Sequence, residues 1–256
     1  MAEEVSVPDT DWKKHSDIAA LVDGLSGALG DKLHAVVLHG PAVRGEVGAA
    51  PRELPLLVLV ADLDPDTLSA VGPALSKWVS HDLPVPRLFT ATSLAEAADV
   101  FPIELADLAE KHVVIFGSDP LAAMPEIDGE HLRLQCEREL REKLMRLEEA
   151  FALARGKEAD LRRLLAASYP AFAMIFRGCL RLHGDPVPAD GAAAATAFCT
   201  RAGIDPEPFS AVERLRRGDR AVSAASLFPR YHAAITRAVD AVDKFVPHTR
   251  TRSQSA

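Results

Sequence analysis

Carboxylates two residues apart on a strand point to the same side, and a divalent cation needs such convergent oxygens. Asp62 and Asp64 have that spacing. They follow the apolar run Leu54 to Val60, at its far end. Asp64 precedes Pro65, and an aspartate before a proline at the first helical position is a helix cap. The expectation is that Asp64 caps a helix and Asp62 ends the strand in solvent. Asp99 and Glu104 are likewise expected to cap and pair locally. Arg177 and His183 are six positions apart, and an arginine and a histidine can together act on a phosphate and its neighbouring 2′-hydroxyl. His183 also stands beside Gly184 at a helix end, where the helix dipole favours it. Arg214-Leu215-Arg216-Arg217-Gly218-Asp219-Arg220 is the densest basic cluster. It reads as a solvated helix C-terminus, with a phosphate or RNA contact as the alternative. Cys136, Cys179 and Cys199 form no CxxC or Cys/His ligand pattern, so core thiols are expected rather than zinc ligands. No serine has a hydrolase nucleophile context. A glycine-bearing loop, His39-Gly40-Pro41-Ala42-Val43-Arg44-Gly45-Glu46, follows the short apolar strand Ala35 to Leu38.

The elements that must position these residues differ between the two halves. Up to about residue 125 the pattern is mixed. Ile18, Leu21, Val22, Leu25 and Leu29 form a helical stripe that Asp17 is expected to cap. Strands are expected at 35–38, 54–60, 87–90 and 112–116. Helices are expected from Pro65, from Ser93 and from Pro102. Strands separated by helices favour a mixed sheet with helices packed on it. From residue 129 only helical periodicity remains. Cys136, Leu140, Leu144, Leu147 and Phe151 form one stripe. Glu137/Arg141, Glu139/Lys143 and Glu142/Arg146 are acid-to-base pairs four apart on the other face. Further helices are expected over 161–183, 190–202, 205–218 and 223–245. The expected division is 1–128 for the α/β part, 129–246 for a helical bundle and 247–256 for a frayed tail. The fold class is therefore α+β.

Composition sets outer bounds. Hydrophobic residues are 48% and charged residues 26% of 256, an ordinary globular balance. No apolar run has membrane-spanning length, and the acidic, polar start carries no secretory h-region. A cytoplasmic protein is expected. The formal charge of −8 disfavours nucleic acid as the main partner.

The loop His39 to Glu46, with Arg52-Glu53-Leu54-Pro55-Leu56-Leu57-Val58 after it, resembles the signature of the nucleotidyltransferase superfamily with the DNA polymerase β-like fold. Asp99-Val100-Phe101-Pro102-Ile103-Glu104 and His112-Val113-Val114-Ile115-Phe116-Gly117 resemble a bacterial branch of it. That branch continues into a helical bundle, as His131 to Leu134 does here. The resemblance spans roughly residues 18 to 246. It implies a loop that cradles a nucleoside triphosphate and an Asp-x-Asp pair, with a third carboxylate on a neighbouring strand, that holds two magnesium ions. On matching positions it implies Gly40, Arg44, Gly45 and Glu53 as nucleotide-binding residues.

This chain departs from that pattern in its chemistry. Pro41 replaces the loop serine, which removes a hydroxyl and an amide donor. Glu53 stands at the first metal aspartate and Pro55 at the second. Proline binds no cation and cannot donate to a strand ladder. No acid lies in Arg87-Leu88-Phe89-Thr90. The expectation is a catalytically degenerate protein that acts by binding, regulation or scaffolding. It would have no metal and no cofactor. Its partner would be another protein or a second copy, with a nucleotide as a further ligand and no membrane. The alternative is an active enzyme that transfers a nucleoside monophosphate from a triphosphate to a small molecule or protein. That alternative requires magnesium and Glu53 with Asp62 or Asp99. A second alternative is a toxin–antitoxin-like module, in which Arg177 and His183 resemble a ribonuclease motif of helical toxin domains.

Overall fold

The computed structural model describes residues 11–44, 54–122 and 124–245. The chain divides into two compact units. One comprises the residues up to Ala98 together with Glu104–Glu126; the other comprises Asp99–Ile103 and everything from Ile127 onward.

The first unit is built on four strands, β1 (Leu33–Leu38), β2 (Leu56–Val60), β3 (Arg87–Phe89) and β4 (Val113–Gly117). Their order is β3-β2-β1-β4. β1 runs antiparallel to β2 and β4, and β2 runs parallel to β3. All of β2 is buried, which suits its unbroken Leu/Val sequence and its place between two other strands. Side chains alternate across the sheet. Val36, Leu38, Leu56, Val58 and Val60 join a core with Ile18, Leu21 and Leu25 of α1 (Ser16–Leu29) and Val71 and Trp78 of α3 (Pro65–Val79). The two helices approach closely. A Cβ at Gly24 would lie 3.0 Å from the Ala74 methyl, so the approach leaves room for little beyond hydrogen. Asp64 caps α3 as expected, accepting from the Thr67 amide at 2.7 Å. Asp62 accepts from the Thr67 hydroxyl and pairs with Lys32 at 3.1 Å.

Two starts differ from expectation. α1 is preceded by His15, without a side-chain cap, and Asp17 lies inside its first turn. There Asp17 bonds His81 Nδ1 at 2.8 Å. α4 (Ala91–Val100) begins before Ser93 because Thr90 is the capping residue. Its hydroxyl accepts from the Ser93 amide at 3.1 Å, and the Thr90 amide donates to Ser93 Oγ at 2.9 Å. α2 (Pro41–Arg44) and α5 (Pro102–Glu110) complete this part of the chain.

The second unit carries α6 (Gly129–Ala154), α7 (Glu158–Leu182), α8 (Gly191–Ala202), α9 (Glu207–Arg216) and α10 (Ala224–Asp243). Asp128 caps α6, Asp190 caps α8 and Ser223 caps α10. The three acid-to-base pairs along α6 all form. α7 is central, and its Phe176 stacks on Phe198 at 4.6 Å and meets Phe209 edge-on at 5.0 Å. Cys136, Cys179 and Cys199 are free and buried in this core. Mixed sheet plus helical unit make the α+β class expected from the sequence. Among the described residues no helix is long and apolar enough to cross a membrane. The segment 247–256 lies outside the described residues.

Because its carboxylate satisfies an end-of-helix amide, Asp64→Ala is expected to lower stability by about 1 kcal/mol. Chemical denaturation of the variant checks this.

Candidate functional site

The topology brings one end of each strand together. Antiparallel pairing sets Leu38, the last residue of β1, against Leu56 and Val113, the first residues of β2 and β4. Parallel pairing sets Arg87, the first residue of β3, against Leu57. The sheet end therefore presents, in spatial order, Arg87, the Leu54-Pro55 entry to β2, the β1 exit at His39-Gly40, and His112. Alternation adds a direction. Arg87, Leu57, Val37 and His39 fall on the face opposite the α1/α3 core, whereas Leu88 packs into that core.

Gly40 serves loop geometry. Its φ is +82°, a left-handed conformation that favours glycine. A Cβ there would lie 2.7 Å from the Pro55 ring. Its carbonyl accepts from the Val43 and Arg44 amides at 3.2 and 3.1 Å, which closes α2. Pro55 needs no ladder donor at its position. It lies one residue before β2 and takes part through its carbonyl, which accepts from the His39 amide at 3.2 Å.

Arg44 leaves α2 to form an ion pair and hydrogen bond with Asp107 of α5. The side chains are only 9% and 12% exposed. α5 carries Asp107 four residues after Ile103, an acid on an apolar helical face. His112 precedes β4 at the same sheet end, with Nδ1 3.0 Å from the Leu108 carbonyl and Nε2 3.3 Å from Asp119. Burial, then the charges of Arg87 and Arg44, push the His39 imidazole down to about 4, against the opposing pull of Asp107. His39 is thus neutral near pH 7, where it can donate one hydrogen bond and accept another.

Of the residues expected at a nucleotide site, Gly40 and Arg44 are brought to this sheet end. Gly45 and Glu53 lie outside the described residues. Asp62 and Asp64 sit at the other end of β2, engaged by Lys32 and Thr67. Asp99 faces His131 at 3.3 Å within the second unit. Glu104 lies in the first turn of α5. Arg177 and His183 form no joint site. Arg177 is buried and donates to the Pro188 and Ala189 carbonyls, while His183 meets the Phe245 ring edge-on at 4.3 Å. In the basic cluster, Arg214 pairs with Glu207, and Arg216 and Arg217 pair with Glu213. Sequence reasoning missed His39, Asp107 and His112 as site residues. An acid on the apolar stripe of α5 was the available signal for Asp107.

No model of a known protein family matches the chain, and no curated protein sequence matches it. Among solved structures it is similar to spectinomycin adenyltransferase AAD(9) from Enterococcus faecialis, determined with ATP and spectinomycin. The likeness has a TM-score of 0.54, covers 89% of this chain and 98% of that one, and comes with 13% identity. The chain has a nucleotidyltransferase-like fold. This likeness also corrects the expectation of a degenerate binding, regulatory or scaffold protein. It runs over nearly the full length of an adenyltransferase, and nothing in it shows a degenerate protein. The expectation judged function from residue types at motif positions, yet Pro55 leaves the fold intact because it precedes β2 and takes part only through its carbonyl.

The depressed His39 value has a stability consequence with a definite sign. Above about pH 6.5 the imidazole is neutral both folded and unfolded. As pH falls from there toward 4, the unfolded chain takes up the proton first, so stability is lost. His39→Gln is expected to remove that loss, roughly 3 kcal/mol by pH 4. Urea denaturation of wild type and variant at pH 7 and pH 4.5 checks it through the difference in slope with pH.

Proposed function

We propose that this protein is a nucleotidyltransferase that moves a nucleoside monophosphate from a nucleoside triphosphate to a small-molecule acceptor. The observation that carries the reading is the near full-length likeness to an adenyltransferase solved with its nucleotide and a small molecule. The sheet end agrees with it, since fixed positive charge beside a neutral, half-buried imidazole suits a polyphosphate chain. In the reaction, an acceptor hydroxyl oxygen bonds the α-phosphorus and its proton passes to solvent water. The bond from that phosphorus to the bridging oxygen breaks, and pyrophosphate leaves with its electron pair.

The described residues take positioning and electrostatic roles. Asp107 holds Arg44, which presents a guanidinium of fixed direction near the β1 exit. His39, at about 4, is poorly matched to act as a base near neutral pH and instead offers hydrogen bonds. The fold family implies divalent cations. Among the described residues no group of three His, Cys, Asp or Glu side chains could hold one. The described side chains therefore do not fit a two-metal site by themselves. Glu53 is the acid that the motif aligns with a metal ligand, and it is the residue to test.

Purified protein is incubated with each nucleoside triphosphate, magnesium and a panel of hydroxyl-bearing small molecules, and pyrophosphate is measured. Acceptor-dependent release is expected, with a loss of roughly tenfold or more in Glu53→Gln. Absence of release with every triphosphate and acceptor would contradict the reading. Release that proceeds only with a protein acceptor would replace the small molecule with a protein substrate.

A further inference from the structure

We infer that Arg87 is a polyphosphate-binding residue of the sheet end, an inference that rests on the nucleotide reading above. β3 is the strand on which the resemblance places a third carboxylate, yet this chain puts a guanidinium at its first position. Arg87 is level with Leu57 of β2 and, through it, with Val37 of β1. Two strand spacings of about 4.8 Å separate it from β1, and two residues of about 3.4 Å rise separate Val37 from His39. Arg87 and His39 share the sheet face opposite the α1/α3 core. An extended arginine side chain spans most of that gap, and the Arg87 charge acts on His39.

The other charges near this end are committed. Arg44 is held by Asp107, and His112 by Leu108 and Asp119. Arg87 is exposed and has no hydrogen bond or ion pair among the described residues. It stays so in a chain with 37 acidic and 29 basic side chains. An unpaired planar fork of donors beside a half-buried neutral imidazole suits phosphate oxygens, which accept bidentate hydrogen bonds. A carboxylate at this position would repel a polyphosphate unless a cation stood between them. An arginine attracts it directly.

The test uses the full chain and two probes, inorganic tripolyphosphate and ATP, titrated in a calorimeter with and without magnesium. Variants are Arg87→Ala, Arg87→Gln and Arg87→Lys. Wild type is expected to bind tripolyphosphate without magnesium. Arg87→Ala and Arg87→Gln should each weaken that binding roughly tenfold or more, the size of a lost charge-assisted hydrogen bond. Arg87→Lys should recover part of it, since charge is kept and the fork is lost. Arg87 is exposed, so melting temperatures should match wild type and confirm folded variants. Wild-type affinity in both neutral variants would overturn the inference, as would a wild type that binds no tripolyphosphate.

The same variants separate this inference from the transfer reading. Tripolyphosphate binding that depends on Arg87, in a protein that releases no pyrophosphate, would uphold the inference and sink the transfer reading. Turnover with an unchanged KM for ATP in Arg87→Ala would do the reverse.

Discussion

A guanidinium and a carboxylate removed from water must find each other, or the chain bears the full desolvation cost of each. Arg44 and Asp107 meet this constraint across 63 positions of sequence. Their pairing ties the exit of β1 to α5, so the loop at Gly40 and the helix carrying Asp107 cannot shift independently. A well-packed apolar pair would serve stability equally well. The distinctive contribution of the ion pair is direction, because it fixes where one positive charge stands at the sheet end. Gly40 and Pro55 fit into the same frame. The left-handed glycine turn leaves space for the proline ring, and the proline carbonyl takes the His39 amide.

Strand polarity does the rest. β1 runs one way and its three companions run the other, so one exit and three entries meet at a single end. One sheet face is filled by α1 and α3. On the opposite face the end residues are His39 and Arg87, and burial between cations keeps the imidazole neutral. The arrangement favours negative charge arriving from outside. A fold of this kind does not by itself settle a function. Nucleotidyl transfer is proposed from the fold likeness together with the chemistry of this end.

Much of the fold was legible in the sequence because its signals are local. Asp64-Pro65 marks a helix start, and the α6 stripe with its Glu/Arg pairs marks a long surface helix. The apolar run Leu54 to Val60 marks a buried strand. The helical unit follows from periodicity alone, since no strand pattern interrupts it. Two local readings failed for local reasons. Asp17 looked like a cap but turned to His81, and the helix expected to begin at Ser93 begins earlier, behind the Thr90 cap. The site was only half legible. Gly40 and Arg44 lie in one loop and carry a motif. Asp107 and His112 join them through tertiary structure; the acid on the apolar stripe of α5 hinted at Asp107, but no spacing named Arg44 as its partner. Arg87 reads in sequence as a missing acid; only strand register shows it as a cation beside His39. The degenerate reading arose from the residue types at the motif positions, Pro55 and the acid-free Arg87–Thr90 above all.

The most direct test of this account follows the His39 imidazole by nuclear magnetic resonance, from pH 7 to pH 4, with and without ATP. The account predicts an imidazole that is neutral at pH 7 and takes its proton near 4. It also predicts that bound ATP raises that midpoint, because phosphate charge offsets Arg87 and Arg44. A midpoint near the ordinary value of about 6.5, unmoved by ATP, would contradict it.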